Sequence, residues 1–296
     1  MKFRFRRYYL YYLGRVLFFI IYLLPLEFVL YLADILGAIA FVVLAKYRRI
    51  AIANLAFAFG PEKTIDEIRN IAKAAFQNLA KNGVELINFP KINKANLDRF
   101  VKIRNIDIID NALKEGKGAI VLTGHIGNWE LLGLALRLKG YHGAAIGRRI
   151  YFDKYDKYLN RLRRVHDVNV IYRDESPKKV LKVLKSNGII GILADQDMDS
   201  IDGIFVNFFG HPAYTPVGPV ALTKASGARL IPAFIIRENG GHALMFEKPI
   251  ELADSGDKGK DLIANTQKWS DVVESSVRRY PEQWVWMHRR WKTKPD

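Results

Sequence analysis

A histidine and a glutamate stand five residues apart in the segment His125–Glu130, whose sequence is HIGNWE. On one continuous helix, five residues would turn the two side chains roughly 140° apart, too far for a hydrogen bond. A bend at Gly127, with Asn128 as the N-cap of a helix, can bring them together. A carboxylate held against an imidazole orients the ring and raises its basicity. We therefore predict that His125 is a general base for a substrate hydroxyl and that Glu130 supports it.

The elements around this segment indicate how it is positioned. An apolar run at 119–122 ends in Thr123 and Gly124, which is typical of a buried strand and its turn. Strand and helix signals then alternate along the chain. We expect strands at 102–106, 118–123, 141–146, 168–172, 188–194, 229–236 and 243–247. We expect helices at 64–87, 107–114, 128–138, 152–165, 177–185, 216–226 and 262–280.

This alternation predicts an α/β fold, with a mostly parallel central sheet flanked by helices on both faces. Ligands of such sheets bind at the carboxyl ends of the strands. His125 and Asp195 both fall at such ends, so the topology and the motif indicate one site. Two helix starts have sequence signatures: Thr64 and Glu67 have capping-box spacing, and Thr215 precedes a first-turn proline.

The composition limits the chemistry and the partners. The 296 residues contain no cysteine, which excludes disulfides, thiolate metal sites and a cysteine nucleophile. The formal net charge of +16 implies an acidic partner: nucleic acid, anionic lipid or an acidic carrier protein. No zinc-finger spacing, Gly-x-x-Gly loop between strands or aromatic RNA platform is present. We therefore expect no nucleic acid and predict a membrane as partner.

The N-terminus supports the membrane prediction. Basic residues at 2, 4, 6 and 7 precede an apolar and aromatic stretch at 8–24, and a second apolar stretch at 26–45 ends in the basic cluster 46–49. No small-residue cleavage site follows, as a signal peptide would require. Basic flanks on both sides favour a hairpin, or helices lying in the interface, with both ends cytoplasmic. We divide the chain into membrane-anchoring helices at 1–47 and an α/β domain at 48–296; a buried hairpin in a soluble protein is the alternative.

Several charged residues lie near the expected cleft. Arg149 follows a strand, where its guanidinium could bind a phosphate or carboxylate, whereas Arg161 and Arg163 are interpreted as a solvated basic face. Asp195 and Asp197 could form a metal pair or a glycosyltransferase-like Asp-x-Asp sequence, but no sugar-nucleotide fingerprint accompanies them.

The segment 125–130 resembles the active-site motif of glycerolipid and lysophospholipid acyltransferases, a histidine followed by an acid after four residues. Three further segments make the chain more similar to the late acyltransferases of lipid A biosynthesis, and mycobacterial mannoside acyltransferases share the pattern. These segments are the basic, Asn-Leu and aromatic spacing at 49–59, the Phe-Phe-Gly segment at 205–213, and PEQWVWMHRRWK at 281–292. The resemblance runs from about Arg48 to Lys294 with the motifs in order.

This resemblance implies an acyltransferase that moves a fatty acyl chain from acyl carrier protein or acyl-CoA to a hydroxyl of a membrane glycolipid. A lipid A precursor is the family's leading acceptor, and phosphatidylinositol mannosides, other glycolipids or an ornithine-type lipid stay open. The enzyme would work at the cytoplasmic face of the inner membrane, with acyl carrier protein as partner and without a metal or cofactor. The resemblance and the residue chemistry together assign His125 and Glu130 to catalysis and Asn128, Arg149, Arg164 and Asp195 to substrate binding.

Further expectations follow from the motif and its neighbours. Backbone amides near Gly127 and Asn128 could stabilise the tetrahedral oxyanion, and no acyl-enzyme is expected. The aromatic residues at 205–209 could line an acyl channel or be ordinary core, and His211 is not expected to be catalytic. Two other classes of function remain: a metal-dependent lipid hydrolase that uses His125, Glu130 and Asp195, and a non-enzymatic basic membrane adaptor.

Overall fold

The computed structural model describes residues 2–198 and 200–295, and for residues 2–7 the backbone alone. The side chains of the N-terminal basic cluster therefore lie outside the described part. The helices are α1 (Lys2–Leu23), α2 (Leu26–Val43), α3 (Ala45–Phe59), α4 (Ile65–Asn88), α5 (Leu97–Phe100), α6 (Asp107–Lys114), α7 (Trp129–Leu138), α8 (Asp153–Arg164), α9 (Pro177–Lys185), α10 (Gly218–Ser226) and α11 (Lys258–Arg279). The strands are β1 (Val101–Arg104), β2 (Ala119–Thr123), β3 (Gly143–Gly147), β4 (Asn169–Tyr172), β5 (Ile189–Leu193), β6 (Gly203–Phe208), β7 (His211–Pro216), β8 (Arg229–Glu238) and β9 (Gly241–Phe246).

The predicted α/β class is confirmed. Across the described chain, seven strands form one sheet in the order β1-β9-β8-β2-β5-β3-β4, and β6 and β7 form a separate hairpin. All neighbours in the large sheet are parallel except β8 and β9. The strands β2, β5 and β3 therefore end at the same edge of the sheet.

The central strand β2 is buried on both faces, as expected for a sheet covered by helices on each side. Ile120 and Leu122 point into one core cluster, while Ala119 and Val121 point into the other, because successive side chains alternate across a strand. The first cluster contains residues of α3, α4 and α11 and the C-terminal tryptophans, and the second contains residues of α6 and α7. The sheet is thus a rigid platform for the loops at its edge.

One expected helix start is wrong. Thr215 and Pro216 end the strand β7, and α10 begins two residues later at Gly218, with a proline in its first turn. The preceding Phe209 and Gly210 both have positive φ, 57° and 76°, which closes β6 and β7 into a tight two-residue hairpin. Of the two prolines near the helix start, Pro216 ends β7 and Pro219 lies in the first turn of α10. The capping box of Thr64 and Glu67 is confirmed at the start of α4.

The helix α2 packs along α4, whereas α1 contacts α4 and also lies against α8, where Phe18 stacks on Tyr158. Val29, Ala33 and Gly37 are the buried positions of α2. A Cβ at Gly37 would lie 2.4 Å from the Cα of Gln77, so glycine is required for this close approach. Among the described helices, α2 is the one long and apolar enough to cross a membrane by length and composition, with a mean hydropathy of 2.2. The boundary predicted after residue 47 falls inside α3, and the division into two domains stays a prediction.

Candidate active site

The turn that contains His125 and Gly127 is packed between β8 and the C-terminal tail. Gly127 has a φ of +58°, and a Cβ there would lie 1.7 Å from the carbonyl oxygen of Ile235. Only glycine fits this turn. On the other side, the backbone N–H of Val285 donates to the carbonyl of His125 at 3.2 Å. The backbone on both sides therefore fixes the position of the histidine.

The imidazole of His125 is held by Asp195, which follows β5. Its Nδ1 lies 2.7 Å from the Asp195 Oδ1, and its backbone N–H donates to Oδ2 at 2.7 Å. The indole N–H of Trp284 donates to the same Oδ2 at 2.7 Å. Asp195 is only 1% exposed. The carboxylate is thus fixed by three donors and in turn fixes the histidine ring.

The environment keeps Asp195 ionised. Burial alone would raise its pKa, but the charge of His125 and the hydrogen bonds from His125 and Trp284 outweigh burial and lower the pKa to about 2. An ionised carboxylate accepts only, so Nδ1 of His125 carries the proton and donates it. With the proton on Nδ1, the second ring nitrogen is Nε2, which hydrogen-bonds to nothing in the described part of the chain. Nε2 is the atom available to take a substrate proton.

The expected pairing of His125 with Glu130 is not found. Glu130 instead forms a two-pronged ion pair with Arg163 of α8, with Nε to Oε2 at 2.8 Å and Nη2 to Oε1 as the second contact. The bend at Gly127 does occur, and Asn128 caps α7 with its Oδ1 accepting from the N–H of Leu131 at 3.2 Å. The cap places Glu130 in the first turn of α7, facing α8 and not the histidine.

The interpretation of Arg163 as part of a solvated face is wrong. Its side chain is 19% exposed, and that of Glu130 is 18% exposed. Burial would lower the pKa of Arg163, but the hydrogen bond and charge of Glu130 raise it above its usual value. A charged pair at this depth links α7, which follows the histidine turn, to α8.

The other two predicted arginines lie at the surface. Arg149 is exposed, stands 4.0 Å above the Tyr172 ring and lies 3.9 Å from a carboxylate oxygen of Asp174. Arg164 is exposed in the last turn of α8. Neither contacts His125 or Asp195, and their assignment to substrate binding stays a prediction.

Asn128 points away from the cleft, into a buried polar cluster that sequence reasoning missed. It is 1% exposed, and its Nδ2 donates to Glu85 of α4 at 2.6 Å. Glu85 also receives the guanidinium of Arg237 and lies 3.4 Å from the imidazole Nε2 of His242. Burial opposes ionisation of Glu85, but His242 and Arg237 lower its pKa to about 2. The sequence signal for this buried cluster was Glu85, a glutamate that stands among the apolar positions of α4.

The amides proposed for the oxyanion are occupied. The N–H of Gly127 donates to the carbonyl of Gln283 at 2.9 Å, and that of Asn128 donates to the carbonyl of Ile235 at 3.3 Å. These two amides are therefore not available to an oxyanion. The next two amides, of Trp129 and Glu130 in the first turn of α7, donate to no acceptor within the described residues.

The C-terminal segment contributes further to the site. Arg290 is 1% exposed and donates to the Tyr214 carbonyl and the Thr215 hydroxyl, both at 2.6 Å. Asp197 accepts from the backbone and hydroxyl of Thr293 at 2.7 and 2.8 Å. Burial lowers the pKa of His288, next to this cluster, to about 4. The tail thus clamps the loop that carries Asp195 and Asp197.

The two aspartates do not converge on one point: His125 and Trp284 occupy Asp195, and Thr293 occupies Asp197. Within the described residues, no group of three or more histidine, cysteine, aspartate or glutamate side chains could hold a metal ion.

Phe208 and Phe209 pack against tryptophans of the C-terminal segment, and His211 stacks on Phe57 with ring centroids 3.8 Å apart. The aromatic segment at 205–209 therefore contributes to the core.

An apolar cavity begins beside the histidine. Trp129, whose ring centroid is 4.9 Å from that of His125, lines one end together with Thr123 and Leu193. The cavity runs between α7 and the strands β3 and β5 to Tyr141 and Ile189, at the opposite ends of those strands. Five strand residues span about 13 Å. Small residues make room along it: Gly133, Ala144, Ala145 and Gly191.

Comparison with known proteins identifies the family of the chain. The family model for bacterial lipid A biosynthesis acyltransferase matches residues 1–293, so the chain belongs to this family of acyltransferases. It is 24% identical to the lipid A biosynthesis lauroyltransferase of Escherichia coli (strain K12), over 98% of this chain and 94% of the relative. It is 25% identical to a phosphatidylinositol mannoside acyltransferase of Mycobacterium tuberculosis, over 74% of this chain and 69% of the relative. The sequence-based resemblance is thereby confirmed.

Proposed function

We propose that this acyltransferase moves a fatty acyl chain from an acyl thioester to a hydroxyl of a membrane glycolipid, with a lipid A precursor as the acceptor and His125 as the general base. The observation that carries the proposal is the 2.7 Å contact between the His125 Nδ1 and the buried, ionised Asp195. A neutral imidazole fixed in this tautomer has one free basic nitrogen. That is the requirement for activating an alcohol.

The chemical step uses this pair and no acyl-enzyme. Nε2 of His125 takes the proton of the acceptor hydroxyl while the hydroxyl oxygen attacks the thioester carbonyl carbon. The tetrahedral intermediate collapses, the carbon–sulfur bond breaks, and the imidazolium returns the proton to the departing thiolate. Asp195 stays ionised throughout and stabilises the imidazolium, so the catalytic pair is His125–Asp195. Glu130 acts through Arg163 by keeping α7 in place.

The apolar cavity is the proposed site for the acyl chain of the donor. It opens beside the general base and continues between α7, β3 and β5, where a chain would leave its thioester carbonyl near His125. The lining is predominantly apolar, as an acyl group requires. Its length, about five strand residues, suits a medium-length chain.

Membrane association is the proposed role of α1 and α2. α2 packs lengthwise on α4, and its Asp34 forms a 2.8 Å ion pair with Lys81 of that helix. A helix bound along an amphipathic neighbour of the α/β domain fits better in the interface than across the bilayer. The exposed apolar side chains of α1 and α2 include Tyr9, Leu13, Val16, Phe19, Leu23, Tyr31, Leu36, Val42 and Val43.

Charge and acceptor chemistry complete the proposal. The net charge of +16 would attract an anionic lipid and an acidic acyl carrier protein at the cytoplasmic face of the inner membrane. Relatives named for lipid A match 84–98% of the chain, whereas those named for phosphatidylinositol mannoside match 74–75% of it. This coverage supports a lipid A precursor as the first acceptor to test and a mannoside as the second.

The test is acyl transfer by detergent-purified protein from labelled acyl carrier protein or acyl-CoA to a panel of anionic glycolipids. His125→Ala is compared with wild type. The matched control is His211→Ala, because His211 lies on the β6–β7 hairpin and stacks on Phe57. We expect transfer to a lipid A precursor to fall about 10²–10⁴-fold in His125→Ala and to stay near wild type in the control. Equal transfer by His125→Ala would exclude this base. Transfer only to a mannoside would keep the mechanism and change the acceptor.

The cavity has a separate test. Gly133→Leu places a branched side chain into it from α7, whereas Gly133→Ala adds a Cβ that meets its nearest neighbour, Val168, at 3.4 Å. We expect Gly133→Leu to shift the preferred donor to shorter chains and Gly133→Ala to change it little. Competition between donors of different length measures the shift. Unchanged preference in Gly133→Leu would place the acyl chain elsewhere.

A further inference from the structure

The loop between β3 and α8 has an unusual apolar tip. Tyr151 is 91% exposed and Ile150 is 38% exposed, next to the exposed Arg148. Single exposed apolar residues are common on soluble proteins and need no explanation. Three further features distinguish this pair. Its backbone is held by hydrogen bonds, it lies beside α1, and it stands at the edge of the sheet that carries the site.

The base of the loop is held by hydrogen bonds. The backbone N–H of Ile150 donates to Oδ1 of Asp156 at 2.8 Å, and Asp156 is only 6% exposed. The same carboxylate accepts from the Asn160 amide at 3.2 Å and from the Tyr172 hydroxyl. These contacts hold the backbone at Ile150, so the neighbouring Tyr151 is presented outward from an ordered base.

The loop also continues the aromatic surface of α1. Phe152 packs edge-on against Tyr8, with ring centroids 5.7 Å apart. The Lys154 ammonium donates to the Tyr12 hydroxyl at 2.9 Å and lies 4.5 Å from the Tyr8 ring centroid. The outward tyrosines of α1 and the tip of the loop therefore lie side by side. Tyrosines of this kind are typical of the headgroup level of a membrane.

The same loop stands at the edge of the sheet that carries the site. It follows β3, which is parallel to β5 and ends at the edge where His125 and Asp195 lie. Behind the loop, Asn160 contacts Arg163 at 3.5 Å, and Arg163 holds Glu130. A surface that touched both α1 and this loop would therefore face the mouth of the site.

We propose that the loop at 148–152 is a second membrane contact, in which Ile150 and Tyr151 enter the headgroup region of an anionic bilayer while Arg148 and Lys154 bind lipid phosphates. This proposal rests on the membrane association of α1 and α2 proposed above. A single contact would leave the protein free to rotate relative to the bilayer, whereas two contacts, α1 and the loop, fix its orientation. The sheet edge with His125 then faces the headgroup layer, where an acceptor hydroxyl lies.

The absence of cysteine gives a direct test. Single cysteines are introduced as Tyr151→Cys in the loop, Val16→Cys on α1 and Ile263→Cys on α11, and each is labelled with an environment-sensitive fluorophore. Val16 and Ile263 are comparably exposed, 59% and 54%. The proteins are mixed with phosphatidylglycerol–phosphatidylcholine vesicles that carry a nitroxide quencher near the top of the acyl chains. We expect quenching at 151 to approach that at 16 and to exceed that at 263 several-fold.

The outcomes separate this proposal from the one it rests on. Quenching at 16 without quenching at 151 would overturn the loop contact and leave membrane association through α1 intact. No quenching at either position would overturn both. Equal quenching at 151 and 263 would likewise contradict the predicted orientation.

A charge substitution provides a second measurement. We expect Tyr151→Asp to weaken binding to anionic vesicles about tenfold, because one large side chain no longer enters the interface. Ile263→Asp is the matched control and should bind as wild type. Activity on a detergent-dispersed acceptor should be unchanged in Tyr151→Asp, which excludes misfolding. Wild-type affinity of Tyr151→Asp for the vesicles would overturn the proposal.

Discussion

Two carboxylates next to the same turn have opposite partners. Asp195, seventy residues from His125 in sequence, holds the imidazole through Nδ1 and the backbone N–H. Glu130, five residues away, holds the Arg163 guanidinium across the gap to α8. The difference follows from direction: Glu130 lies in the first turn of α7, whereas Asp195 lies where the neighbouring parallel strand β5 ends. A partner that is near in sequence need not be the partner in space.

The two carboxylates also differ in what surrounds them. Asp195 is 1% exposed and receives three N–H donors, two from His125 and one from Trp284. Glu130 is 18% exposed and receives one arginine. A fully buried, ionised carboxylate can set the tautomer of a histidine, while a half-buried ion pair can set the distance between two helices. This comparison predicts unequal consequences of removing each charge.

The largest effect is expected from Asp195→Asn. The amide Nδ2 can donate to Nδ1 of His125, which moves the ring proton to Nε2 and removes the basic lone pair. We expect kcat for acyl transfer to fall about 10²–10³-fold with an intact fold. Steady-state kinetics and circular dichroism together measure this. Near-normal kcat in Asp195→Asn would contradict the assignment of Asp195 as the residue that orients the base.

The pH dependence of stability also distinguishes the buried carboxylate of Asp195 from more exposed carboxylates. The pKa of Asp195 is about 2 in the folded protein and about 3.9 in an unfolded chain, so the unfolded state binds its proton first as the pH falls. The resulting stabilisation, about 2–3 kcal/mol, is fully present above pH ~4 and is lost between pH ~4 and ~2. We expect the free energy of unfolding of wild type, measured with urea, to fall toward that of Asp195→Asn over this range.

A surface carboxylate is the control for this experiment. Asp174→Asn changes a side chain that is 64% exposed and should follow the wild-type curve. A constant difference between wild type and Asp195→Asn from pH 6 to pH 3 would show that the Asp195 charge is not stabilised by its partners.

The smallest effect is expected from the Glu130–Arg163 pair. We expect Glu130→Gln and Arg163→Gln each to lower kcat/KM about tenfold, because the pair positions α7 without touching substrate. The double variant should lose little more than either single one, with a coupling energy of about 1 kcal/mol. Additive losses would mean that the two residues act independently. A loss from Glu130→Gln as large as that from Asp195→Asn would reverse the comparison.

Part of the site could be predicted from sequence because local signals decide it. The β-branched run before the motif, the glycine bend and the asparagine cap of α7 all formed as expected. The hairpin of β6 and β7 was missed because Phe209 adopts a positive φ, which its side chain gives no reason to expect. The burial of Arg163 was missed because a helix of strongly basic composition suggests a solvated face, and its partner lies 33 residues away.

The sequence by itself determined the α/β class and the family, and it indicated the edge of the sheet and the histidine of the candidate site. The fold class depends on periodicity and turn chemistry, which are local properties of a chain, and the family depends on the order of motifs along it. Only the tertiary structure decided which acid holds the histidine, which amides are already occupied and where the apolar cavity lies. Those depend on contacts between segments far apart in sequence: β2 with β5, α7 with α8, and the C-terminal tail with the loop after β2. Such contacts form only when the sheet has assembled.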